Sequence, residues 1–159
     1  MGIVSQLQLI AGLPTLLAAA AQCRIVAADS LVVFDHAVVE HHAAEEAELF
    51  PAVLRSASPG EEHDRVQAMV QRLTAEHRSI EALWRKLEPA IKAAARNKPV
   101  ELDVADLDEL VHSYMAHANF EEQKFLPLAE IILSRNGNHM AALGLSLHLR
   151  HASHPIGYI

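Results

Sequence analysis

The chain has 159 residues, about half of them apolar, and a formal charge of −7. That is enough for one domain with one core, and an acidic chain without a Lys/Arg cluster is a poor match for nucleic acid or an anionic membrane surface. A single cysteine, Cys23, excludes an internal disulfide and a thiolate zinc finger. Ala and Leu dominate, aromatics are few and there are only 6 Gly, a composition that favours helix. The anomaly is 11 His, where ordinary usage would supply about four.

The first predicted element is a helix over about 2–12, stopped around Gly12-Leu13-Pro14. The run from Met1 to Cys23 is apolar, but Ser5, Gln6 and Gln8 interrupt it and Gly12 and Pro14 break it. It reads as a bundle helix and a turn, not a membrane span, and the protein is expected in the cytoplasm. A second helix is expected from about Ala18 to Ser56, ended by Ser-Ala-Ser-Pro59-Gly60. A third runs from Glu61 to about Arg96, with Glu61 and Glu62 at its positive end and Asn97-Lys98-Pro99 as its stop. A fourth runs from about Asp103 to Ser134, stopped by Asn136-Gly137-Asn138. A short helix over about 138–150 and a loose tail close the chain. The domain is expected over 1–135, with 136–159 as an appendage.

Each long helix carries an apolar stripe at steps of three and four, and no segment alternates with period two. Two stretches also repeat at one offset. His36, His41, Glu45, Glu46, Leu49 and Pro51 are matched, 76 positions later, by His112, His117, Glu121, Glu122, Phe125 and Pro127. A repeat of this length suggests two helix pairs related by an approximate two-fold.

Residues four apart share a helix face. Val38, His41, Glu45, Leu49 and Ala52 step by 3, 4, 4 and 3, and Tyr114, His117, Glu121, Phe125 and Leu128 step identically. Each helix therefore aims an imidazole and a carboxylate into the core. A buried carboxylate loses hydration worth several kcal/mol and protonates unless a cation or donor meets it. The third helix adds His77 and Glu81, again four apart and continuing the stripe from Leu73. Inward His and Glu on facing helices are how bundles build two-metal sites. The metal-ligand set read from the sequence is His41, Glu45, His77, Glu81, His117 and Glu121. Mixed His and Glu suit iron, manganese or zinc rather than copper or calcium. His42 and Glu46 share the four-residue spacing about 100° round the helix, as ligands or as groups supporting ligands. His36 and His112 lie about 180° from the carboxylates and read as surface residues, as do Glu122 and His63.

These residues resemble a known signature. His41-His42-Ala-Ala-Glu45-Glu46-Ala-Glu-Leu-Phe50-Pro51, Glu76-His77-Arg-Ser-Ile80 and His117-Ala-Asn-Phe-Glu121-Glu122, the last followed by Pro127, are similar to the hemerythrin-like, or HHE cation-binding, domains. The resemblance implies an all-α, antiparallel, up-down-up-down four-helix bundle around a non-haem di-iron centre. It also implies His41 and Glu45 as ligands from the second helix, His77 from the third, and His117 and Glu121 from the fourth, with Glu81 where some relatives place another. The family takes a further His from its first helix. The offset puts that position at residue 1, which is Met, and His36 is the first His in the chain. Either the true start lies upstream or this form lacks one ligand, which would leave one iron under-coordinated.

The resemblance implies binding or sensing of O2, a related small oxidant or nitric oxide, by a binding protein more than an enzyme. The second reading is a metal-dependent regulatory or interaction module with one ion or none, whose exposed apolar face favours a homodimer. A third is a structural bundle with vestigial ligands. Nothing resembles a nucleophile motif, a phosphate loop or a nucleotide fingerprint.

Overall fold

The computed structural model describes residues 3–135, and the helix and tail expected beyond Arg135 lie outside the described residues. Among these there are four helices and no strand. Helix α1 is Ile3–Ala11, α2 is Leu13–Ser56, α3 is Glu61–Ala95 and α4 covers 104–134.

The punctuation acts where the chain chemistry requires it. Gly60 sits at φ 96°, a conformation open to glycine, and closes the four-residue connection 57–60 that leads into α3. The backbone N–H of Ser58 donates to Glu62 Oε2 at 2.6 Å, and Arg135 donates to both Glu62 oxygens at 2.8 and 2.9 Å. The end of α4 is thereby fastened to the turn between α2 and α3. Asn97, at φ 55°, closes α3, and Lys98 N–H returns to Ala93 O at 3.0 Å. Asp103 caps α4 by accepting from Asp106 N–H at 3.1 Å.

Three helices share two apolar clusters. One joins Leu49 and Val53 late in α2, Val66 and Leu73 early in α3, and Phe125, Ile132 and Leu133 late in α4. The other joins Ala27 and Val38 of α2, Ile80, Trp84, Leu87 and Ile91 of α3, and Leu110 of α4. Phe34 stacks on Trp84 with ring centroids 4.3 Å apart, and the indole N–H of Trp84 donates to Asp35 at 3.1 Å. Burying each large side chain stabilises by about 1.5–3 kcal/mol, and that burial offsets the cost of the polar layer between the clusters. His42, Glu45, His77, Glu81, His117 and Glu121 make up that layer, and all are buried.

Two helices are wound more widely at matching places. Glu45–Leu49 and Glu121–Phe125 are π-helical turns, again 76 residues apart. Phe50 N–H reaches back to Glu45 O, and Leu126 N–H to Glu121 O. Pro51 and Pro127 follow directly. A proline has no N–H for the carbonyl four residues before it and its ring crowds that carbonyl, so the turn widens. A third wide turn, Val33–Val38, has no proline after it.

The expected stop at Gly12-Leu13-Pro14 differs from what the structure shows. The irregularity is confined to Gly12, whose φ −81° and ψ −10° remain helical, and α2 resumes at Leu13 rather than Ala18. Pro14 occupies the first turn of α2, where a missing N–H costs nothing. The helix contains an apolar window that by length and composition alone would suffice to cross a membrane. The breaks read from the sequence fall before or at its first turn.

Candidate metal centre

Six donors converge between the two apolar clusters. His42, His77 and His117, one from each of α2, α3 and α4, form one group of three. His41, Glu45 and Glu121 form the other. Within each group the donor atoms lie within 4.8 Å of one another. The imidazoles of His42 and His77 stack 3.8 Å apart at 5°, and His117 stands edge-on to His77 at 4.8 Å.

Each histidine of the first group is engaged on its outer nitrogen. His42 Nδ1 donates to Glu81 Oε1 at 3.3 Å, His77 Nδ1 to Glu46 Oε1 at 2.8 Å, and His117 Nδ1 to Glu76 Oε2 at 3.1 Å. The proton on Nδ1 leaves Nε2 with a bare lone pair. All three Nε2 atoms are buried and have no hydrogen-bond partner. An orphaned buried acceptor is rare, and three aimed at one point fit a cation.

The carboxylates behind the histidines are held in turn by arginines of α3. Arg72 Nε donates to Glu76 at 2.7 Å, and its guanidinium stacks 3.7 Å over Phe120. Arg78 pairs with Glu46 and reaches Glu81 at 3.5 Å, and Arg85 reaches Glu81 at 3.4 Å. On the outer side of Glu46 and Glu81 lies a surface hollow of about 440 Å³, lined also by Val39, Ala43 and Arg78.

Glu45 reaches both groups. Its Oε1 is 3.3 Å from His41 Nε2 and its Oε2 3.4 Å from His77 Nε2. Glu121 Oε2 lies 3.9 Å from His117 Nε2. Burial pushes both carboxyls up, Glu45 to about 6 and Glu121 to about 8, and in Glu121 the neighbouring Glu45 adds to the effect. Burial lowers the four imidazoles, His42 to about 2 with His77 and His117 contributing. The four histidines are therefore neutral near pH 7, the form that binds metal. The carboxyls want either a proton or a cation.

Of the residues picked from the sequence, five stand among these donors: His41, Glu45, His77, His117 and Glu121. Glu81 stands behind His42, between Arg78 and Arg85, and outside the two donor groups. His42, set aside in the ligand set because it lies 100° from His41, is fully buried among the donors. A signal for it was present: Leu31, Phe34, Val38, His42, Glu45 and Leu49 step by 3, 4, 4, 3 and 4. The second stripe was hidden because a two-group centre spans about 100° of α2, wider than one apolar seam. His36 and His112 are exposed and bond locally, to Glu40 at 3.2 Å and to Asp108 O at 2.7 Å.

No curated protein and no solved structure matches the chain. The model of one family, the hemerythrin HHE cation binding domain, matches residues 3–129, most of the chain and all six donors. The chain belongs to the hemerythrin HHE cation-binding domain family.

Proposed function

We propose that the protein holds two non-haem irons within an antiparallel bundle of α2, α3 and α4 and binds O2, a related small oxidant or nitric oxide there. The observation that carries the reading is the set of three unpartnered Nε2 atoms beside a carboxylate that reaches both donor groups. Four imidazoles and two carboxylates suit iron, with manganese or zinc next. His42, His77 and His117 would hold one ion, His41 the other, and Glu45 and Glu121 would serve both. Bound iron would supply redox chemistry for a small ligand.

The chain's own residues prepare the centre. Glu46, Glu76 and Glu81 keep each imidazole in one tautomer and one orientation. Phe50, 5.8 Å from the His77 ring, and Phe125, 5.2 Å from Phe50, close the centre on the side of the Leu49–Val53 cluster. Tyr114 stands 6.4 Å from the His117 ring, and its phenol, kept protonated by burial, can donate to a ligand bound there.

A second reading is a metal-dependent interaction module with one ion. It is favoured by the asymmetry of the groups, since three histidines surround one position and His41 alone serves the other. Elemental analysis with the absorption spectrum of purified protein separates the two. Two irons per chain and a near-ultraviolet band that azide alters are expected. A colourless protein with one zinc, or with no metal, would overturn the di-iron reading.

A further inference from the structure

Helix α1 and the start of α2 project out of the bundle. The last buried residue of α2 toward its N-terminus is Ala27, in the cluster with Leu87 and Ile91. Beyond it Leu7, Leu9, Ile10, Leu13, Leu16 and Leu17 are 48–67% exposed. A helix apolar on all sides belongs in a protein interior or a membrane. We propose that residues 3–26 are an exchanged arm: each of two copies of this chain lays its arm into a groove of the other, beside the donor cluster.

The first ground is that the arm cannot reach its own groove. Leu13–Ser56 is continuous helix and Gly12 keeps helical angles, so no reversal brings residues 3–26 back against α2 and α4.

The second ground is the groove. On α4, Val104, Val111 and Met115 share a face about 100–140° from buried Leu110, on the side away from Asp106, which binds Lys86 of α3 at 2.7 Å. All three are exposed. On α2, exposed Val33 likewise lies away from Asp35, which holds Trp84 of α3. These faces flank the side of the centre that α3 does not cover.

The third ground is length and charge. His41 lies about 21 Å along α2 from Ala27, and Leu7 lies about 30 Å from it in the other direction, at 1.5 Å per residue. A second copy placed end to end about a two-fold axis therefore carries its arm to the depth of His41. That imidazole is 19% exposed, while those of His42, His77 and His117 are nearly or fully buried. The 76-residue offset makes Leu7 the counterpart of Leu83, which packs on the cluster of Ile80 and Trp84. Arg24 is the one charged residue among 3–26, so burying the arm desolvates at most that charge and adds no negative charge between two acidic chains. A stable interface buries about 1,600 Å², and each arm offers six large apolar side chains that are 48–67% exposed.

The test is the mass of the purified full chain by light scattering at micromolar concentration, with circular dichroism confirming that each variant is helical. The unaltered chain is expected at twice 17.4 kDa. Leu16→Glu with Leu17→Glu spoils the arm, and Val111→Glu with Met115→Glu spoils the groove. Each pair is expected to give monomers. Mixing the two variants is expected to restore a dimer, because one intact arm then meets one intact groove. A monomeric unaltered chain, a dimer indifferent to both pairs, or no dimer on mixing overturns the exchange. So does flotation of the unaltered chain on phosphatidylcholine vesicles in place of dimerisation. None of the four substituted residues is a donor, so metal content is read separately. An iron-free dimer would sink the di-iron reading alone, and an iron-loaded monomer the exchange alone.

Discussion

At the scale of the residue, the centre is defined by which nitrogen of each imidazole is already spoken for. His42, His77 and His117 each give one nitrogen to a glutamate and turn the other, unpartnered, toward the same point. Glu81 and Glu45 are both buried glutamates on inward faces, yet they occupy different places. Glu45 lies between the two donor groups, whereas Glu81 backs His42 and is neutralised by two arginines. Their substitutions separate the roles. Glu45→Gln removes an anionic donor shared by both groups and is expected to abolish stoichiometric metal loading. Glu81→Gln keeps an oxygen for the His42 N–H and is expected to weaken binding by about 10-fold, the lower end for groups that orient a ligand. His112→Ala, on an exposed face, is expected to leave loading unchanged, and His117→Ala to reduce it sharply. Metal competition titrations read all four, and equal losses for Glu45→Gln and Glu81→Gln would return Glu81 to the ligand set.

At the scale of the element, the wide turns and the prolines after them connect helix geometry to the donors. Glu45 and Glu121 each begin a π-helical turn that ends just before a proline. Such turns recur at functional sites because an extra residue per turn rotates the preceding side chains relative to the following ones. Pro51→Ala supplies the missing N–H and removes the crowded ring, so the segment can return to regular α-helix. Helicity by circular dichroism is expected to hold or rise, while metal affinity falls about tenfold as Glu45 turns from its position. Unchanged affinity would mean that the turn has a different cause. The prolines were visible in the sequence as a matched pair, but the widening was not. A periodicity analysis assumes 3.6 residues per turn throughout, and a π turn breaks that assumption where the ligands lie.

At the scale of the whole molecule, a layer of ionisable groups between two apolar clusters couples folding to pH and to metal. Below the ordinary histidine value of 6.5, the unfolded chain takes protons that the buried imidazoles refuse, so stability of the metal-free protein falls as the pH drops. Between about 7 and 8 the sign reverses. Folded Glu121 still holds a proton that the unfolded chain has released, so stability falls as the pH rises. The metal-free protein is therefore expected to be most stable at about pH 7, where the two effects balance, measured as the urea midpoint from about pH 5 to 9. With metal bound the alkaline decline is expected to vanish, because the cation replaces that proton and binding to the folded state adds its own stabilisation. A midpoint that climbs steadily from pH 6.5 to 8 without metal would contradict the environment assigned to Glu121.

The chain alone determined the helical class, the ends of α3 and α4 to within a residue or two, and five of the six side chains that converge in the polar layer. Those properties follow from local rules: apolar steps of three and four, capping residues, and the cost of aiming a carboxylate into a core. Three matters were decided only in three dimensions. His42 stands among the converging side chains and Glu81 behind it because a cluster of two groups draws on about 100° of α2, and α3 presents its arginines to one side of it. Glu45 and Glu121 sit on widened turns because a proline acts on the carbonyls before it. The N-terminal residues extend as one rod with α2 because Gly12 and Pro14 are both compatible with a helix start. Whether such residues reverse the chain or merely punctuate it depends on the contacts available to the segment, and periodicity does not record them.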